Sequence, residues 1–189
     1  MRVSPKVFMS EERQQSLTRL GLSVSCFLLL SALIPIRGQE FTPLRIAGLS
    51  VIALHFAFAM VWHQWIRLRP EQWARRIRIA LMLDITSTTV TLAAAGSLGS
   101  YFYPVFLWVV VGYGLRYGPS YLLQAMVAGC IGFGLTLKYS HFWSQNLDVG
   151  IGLAVGILVL PSFFITVLKR LNRLNIRLGE QLERAKAAE

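Results

Sequence analysis

Charge is scarce in this chain, and acid is scarcer than base. Only 15% of its 189 residues are charged, with 9 Asp and Glu against 19 Lys and Arg. Cysteine is nearly absent: Cys26 and Cys130 each sit inside an apolar run, so neither a disulfide framework nor a thiolate metal site is expected. No CxxC or HExxH spacing occurs. Nor is there a nucleophile with a matching base, a phosphate-cradling loop or a pair of carboxylates. The chain therefore reads as non-catalytic, with no metal and no cofactor expected. The scarcity of charge has a counterpart. Hydrophobic residues make up 54% of the chain and the mean hydropathy is +0.53, which excludes an ordinary soluble domain. The net charge of +10 does not point to nucleic acid, because the basic residues cluster at the ends of apolar runs, where topology and anionic headgroups want them.

A helix needs about 20 apolar residues to cross a bilayer. Six such runs are present, at 17–36, 44–66, 77–97, 101–117, 121–139 and 149–168. Of the 19 basic residues, all but Arg37, Arg45 and Lys138 fall on one side of this pattern. That side is then cytoplasmic and both termini are inside. Trp62, Trp65, Tyr101, Tyr103, Phe142 and Trp143 fall near the span ends, as interfacial aromatics would. The stretch 10–19 reads as an interfacial helix or a frayed tail.

The expected architecture is an all-α polytopic membrane bundle of six transmembrane helices with a C-terminal cytoplasmic coiled-coil signalling helix. Residues 1–16 form a cytoplasmic or interfacial segment, 17–168 the membrane domain and 169–189 the coiled-coil linker. In that linker Leu168, Asn175 and Leu182 take heptad position a, and Leu171, Leu178 and Ala185 take d. This seam predicts a parallel homodimer, with Asn175 fixing its register. Pro161 lies inside the last span, where it removes a backbone hydrogen bond and supplies a hinge.

Asp84 is the only carboxylate well inside a span, and such residues are functional candidates. Thr88 and Thr91 follow on the same helical face, making a polar stripe. Arg116 is the only charge between spans four and five. Spans three and four are joined by a short turn, so an Asp84–Arg116 pair is expected. His55 and His63 share one helix but point too far apart to hold one metal. Small residues four apart, such as Gly114 with Gly118 and Ala128 with Gly132, permit close helix approach.

The Thr-rich stretch after Asp84, Leu107-Trp108, Gly112-Tyr113-Gly114-Leu115-Arg116-Tyr117-Gly118, Gly150-Ile151-Gly152-Leu153 and Leu160-Pro161 resemble the membrane input region of RpfC-type hybrid sensor histidine kinases. The tail Glu183-Arg184-Ala185-Lys186-Ala187-Ala188-Glu189 is similar to the run-in to the dimerisation and phospho-acceptor helix of such kinases. The resemblance implies a sensor in the bacterial cytoplasmic (inner) membrane. It implies response to diffusible signal factor, a cis-unsaturated fatty acid, with kinase and receiver domains as the output. On that reading the chain is a sensor separated from its output. A fatty-acid carboxylate would seek Arg37, Arg45, Lys138 or His141 at the outer face. Two other classes share features of this sequence. A small transporter or channel would use Asp84 as its ion or proton site, and the membrane input of a diguanylate cyclase would share the tail.

Overall fold

The computed structural model describes residues 5–68 and 73–188. Arg2 and Arg69 of the flanking charges lie outside these, as do the side chains of residues 5–10, Arg67, Trp73, Asn172, Leu182, Glu183 and 185–188. The described residues are helical apart from short links. The helices are α1 (Pro5–Ile36), α2 (Pro43–Leu68), α3 (Trp73–Ala95), α4 (Tyr103–Tyr117), α5 (Pro119–Tyr139), the short α6 (His141–Gln145) and α7 (Leu147–Ala188). A 3-10 turn, Gly96–Phe102, joins α3 to α4.

Five helical stretches among the described residues are long and apolar enough to cross a membrane. The third, Ala74–Tyr117, contains both α3 and α4. It is folded back on itself. Tyr113 donates to Asp84 at 2.8 Å, although 29 residues of straight helix would set them about 43 Å apart. The long contacts give each limb its direction. Glu12 meets Arg76 and Arg19 meets Asp84, so α1 and α3 run parallel. Thr136 and Ser140 donate to the carbonyls of Thr89 and Ala93, so α5 runs parallel to both. By contrast His55 with Asp84 and Gly48 with Ala94 set α2 the other way, as do Arg19 with Tyr113 and Gln15 with Tyr117 for α4, and Ser162 with Met126 and Gly150 with Leu137 for α7.

One apolar core joins these limbs through Leu30, Ile52, Leu81, Phe106, Phe133 and Ile157. Around it, aliphatic residues such as Leu28, Leu54, Ile131 and Val159 are exposed on the outer faces, which suits lipid as the surrounding solvent. Two tryptophans depart from the interfacial role expected of them. Trp62 is buried with Ile66 and Ala80. Trp143 is buried on α6, donating to Leu92 O at 3.3 Å beneath the 3-10 turn.

One further expectation is corrected. The stretch 10–19 is neither frayed nor a separate interfacial helix: it is continuous with the first span in the 32-residue α1. Its Glu12, Gln15, Ser16 and Arg19 are buried at helical spacing, so a polar face turns into the bundle. The last helix runs unbroken through Pro161 for 42 residues, about 63 Å. Pro161 is buried and leaves the carbonyl of buried Ile157 without its helical donor.

Candidate functional site

The polar face of α1 organises the interior. At its start Glu12 accepts two hydrogen bonds from Arg76, each 2.7 Å, and both side chains are buried. One turn on, Gln15 accepts from the Tyr117 hydroxyl, and Ser16 donates to Ala59 O at 3.5 Å. Another turn on, Arg19 Nε reaches both oxygens of Asp84, at 3.0 and 2.9 Å. Arg19 Nη2 donates to the Tyr113 hydroxyl at 2.8 Å, and that hydroxyl donates to Asp84 Oδ2. His55 Nε2 lies 3.4 Å from Asp84 Oδ1. Four helices thus meet on one carboxylate.

The expected Asp84–Arg116 pair is not formed. Arg116 Nη1 instead donates to Gly112 O in its own helix, at 3.3 Å. Tyr113 is the residue of α4 that faces Asp84, and Arg116, three residues on, is rotated about 60° away from it. Arg19 takes the position at Asp84. Sequence reasoning missed Arg19 because a charge at the start of a span reads as a headgroup contact. The spacing of Tyr113 and Tyr117 at i and i+4 was the available signal for a polar face on α4.

The glycine motif around these tyrosines is a tight corner between α4 and α5. Gly118 has φ 94° and ψ 178°, a region reserved for glycine. Pro119 then opens α5 where its missing N–H costs nothing. Gly114 lies against Leu122, and a Cβ there would come within 2.6 Å of it. The corner holds Tyr113 and Tyr117 against α1. Gly118→Ala is therefore expected to destabilise the bundle by about 1–3 kcal/mol in detergent thermal unfolding. Ala at Gly152, which has open space around its Cβ, serves as the unaffected control.

The expected stripe of Asp84, Thr88 and Thr91 lines a small cavity of about 60 Å³ between α1, α2, α3 and α4. A wider apolar groove of about 840 Å³ lies outside it, between α3 and α5 beside the start of α2.

The four candidate outer-face contacts are not brought into one cluster. Arg37 bonds and stacks on Tyr101, with 5.6 Å from its guanidinium to the ring centre. Arg45 donates to Glu40 O at 2.7 Å and to Gln39. Lys138 sits over Tyr139, and His141 is exposed at the start of α6. None of the four lines either cavity. Of the described seam residues, Leu168 packs partly against the core, whereas Leu171, Asn175 and Leu178 are exposed. The side chains of Leu182 and Ala185 lie outside the described residues.

No family model matches the chain, and no solved structure matches it. Among curated proteins it is similar to the sensory/regulatory protein RpfC of two strains of Xanthomonas campestris pv. campestris. Identity is 35% over 108 residues, which is 57% of this chain and 15% of each relative. The chain thus spans a small part of the length of the proteins it matches. This similarity supports an RpfC-type sensor region, and with the apolar helices it fits a membrane sensor module.

Proposed function

We propose that the chain is the membrane input module of a two-component sensor histidine kinase, with six crossings, both termini cytoplasmic, in a bacterial inner membrane. The antiparallel packing of α3 and α4 supports six crossings rather than five. The distribution of basic residues supports the orientation. In this reading a lipid-like signal, a cis-unsaturated fatty acid such as diffusible signal factor, biases the bundle. Arg37, Arg45, Lys138 and His141 are its points of first encounter at the outer face. The last helix shifts about Pro161, and kinase and receiver domains read the change. The signal must bind one arrangement better than the other for anything to move.

The observation that carries the reading is α7. It leaves the bundle without a break, and its tail exposes Leu171, Leu174, Ile176 and Leu178. Apolar residues on an exposed helix want a partner, and a second copy of the same helix supplies one. A cysteine scan along 168–185 tests this. Crosslinked dimers are expected to peak at 168, 171, 175, 178, 182 and 185, with the three–four period of a seam. A flat profile would remove the dimer from the mechanism.

The transporter reading requires a carboxylate at Asp84 with room for an ion. Both oxygens of Asp84 are already engaged by Arg19, with Tyr113 and His55 beside them. On this geometry Asp84 holds helices together, and Asp84→Asn is expected to change stability rather than abolish a flux.

A further inference from the structure

The hydrogen-bond inventory of the inner cavity is lopsided. Asp84 is its carboxylate, and both oxygens are taken. What remains is one obligate donor, on Arg19, and three hydroxyls that are each free to donate. Arg19 Nη1 is buried and has no partner among the described residues. The hydroxyls of Ser23, Ser87 and Thr91 line the same cavity and make no hydrogen bond among the described residues. Arg19, Ser23 and Thr91 are only 6%, 5% and 5% exposed. Thr88 differs, since its hydroxyl is satisfied by the carbonyls of Asp84 and Ile85 at 2.8 and 3.1 Å. Buried donors without acceptors call for an occupant that accepts.

Charge narrows the occupant further. Arg19 and Asp84 cancel, so a fixed anion would add an uncompensated charge to a low-dielectric interior. An acceptor that arrives uncharged fits, such as a protonated carboxylic acid. The other end of the cavity is apolar, formed by Ile52, Leu92 and Phe102 beside the 3-10 turn. The cavity also adjoins the lipid-facing surface. A shallow groove between α1 and α4, with Thr18, Pro104 and Trp108, shares Leu22 and Val105 with it. A second groove between α1 and α2 shares Ser23 and Ile52. An occupant with a chain can therefore reach the cavity sideways from the bilayer. The apolar groove between α3 and α5 carries the unpartnered hydroxyl of Thr89 but no charged donor, and lipid tails suffice to fill the rest of it.

We propose that the cavity between α1, α2, α3 and α4 binds a single-chain amphiphile whose carboxylic-acid head accepts hydrogen bonds from Arg19 Nη1, Ser23 and Thr91. This places the seat of the signal inside the bundle, at the junction of four helices, and it rests on the sensor reading above.

The test uses the whole chain in phosphatidylcholine nanodiscs, photolabelled with a ten-carbon carboxylic acid carrying a diazirine near the chain end. Label is expected on 22–26, 52–55 and 102–109, and decanoic acid competes it away. Ser23→Leu with Thr91→Leu fills the cavity without touching Arg19 or Asp84, and label there falls at least tenfold. Val105→Trp, which narrows the side entry, does the same should the double variant fail to fold. Label spread evenly over lipid-facing surfaces, or unchanged in both variants, overturns the site. Displacement by decylamine as effective as by decanoic acid overturns the head-group assignment. The two readings fail separately when the chain is also joined to a kinase core. Cavity labelling without a kinase response sinks the sensor reading, and a response without cavity labelling sinks the site.

Discussion

Asp84→Leu lowers the stability of the bundle by about 3–5 kcal/mol, because removing one partner of a buried ion pair strands the other. Arg19 would keep its Tyr113 contact but lose both bonds to the carboxylate. Its guanidinium cannot shed its charge at any accessible pH. Arg19→Met is expected to cost less. The carboxylate it leaves still has Tyr113 and His55 beside it. The double variant, Arg19→Met with Asp84→Leu, loses both charges at once and replaces them with apolar groups. It is expected to be more stable than Asp84→Leu alone, and its loss to fall well short of the summed single losses. Equilibrium unfolding in detergent of the four proteins gives the coupling energy directly. Strict additivity would show that the pair contributes nothing beyond the two side chains taken singly.

The second large effect concerns the phase of α7. One alanine inserted after Lys169 rotates every later residue by about 100° relative to the bundle. Joined to a kinase core, that chain is expected to lose its response to signal, or to lock in one state. Seven inserted residues bring the tail back to within about 20° of its original phase, and the response returns. Autophosphorylation with and without signal is the measurement. A response indifferent to phase would make α7 a tether rather than a transmitter.

Why the six apolar runs could be read from the sequence is simple physics. Lipid tolerates few polar residues, so span length is written in composition. The gap between the runs 101–117 and 121–139 marked a link, but the sequence did not show that Gly118 turns it with a φ of 94°. The polar residues of 10–19 were harder. A polar face on a helix looks the same whether it meets water or other polar side chains, and Glu12, Gln15 and Arg19 meet the latter. The partner of Asp84 was hidden for a related reason. Chain order names the helices joined by a turn, but α1 also lies against α3 and α4. Trp62 and Trp143 show the same limit: proximity to a span end does not say whether an indole faces the headgroups or the core.

The polar face of α1 also sets a schedule for biosynthesis. Glu12, Arg19 and Gln15 find their partners 64, 65 and 102 residues further along the chain. While α1 is being delivered to the bilayer, neither Arg76, Asp84 nor Tyr117 has yet been made. The helix must wait at or near the membrane surface with its polar half unmatched, and it can seat fully only after α4 has emerged. The earliest of the described helices is thus among the last to be finished, and its polar half closes the bundle that the later helices form.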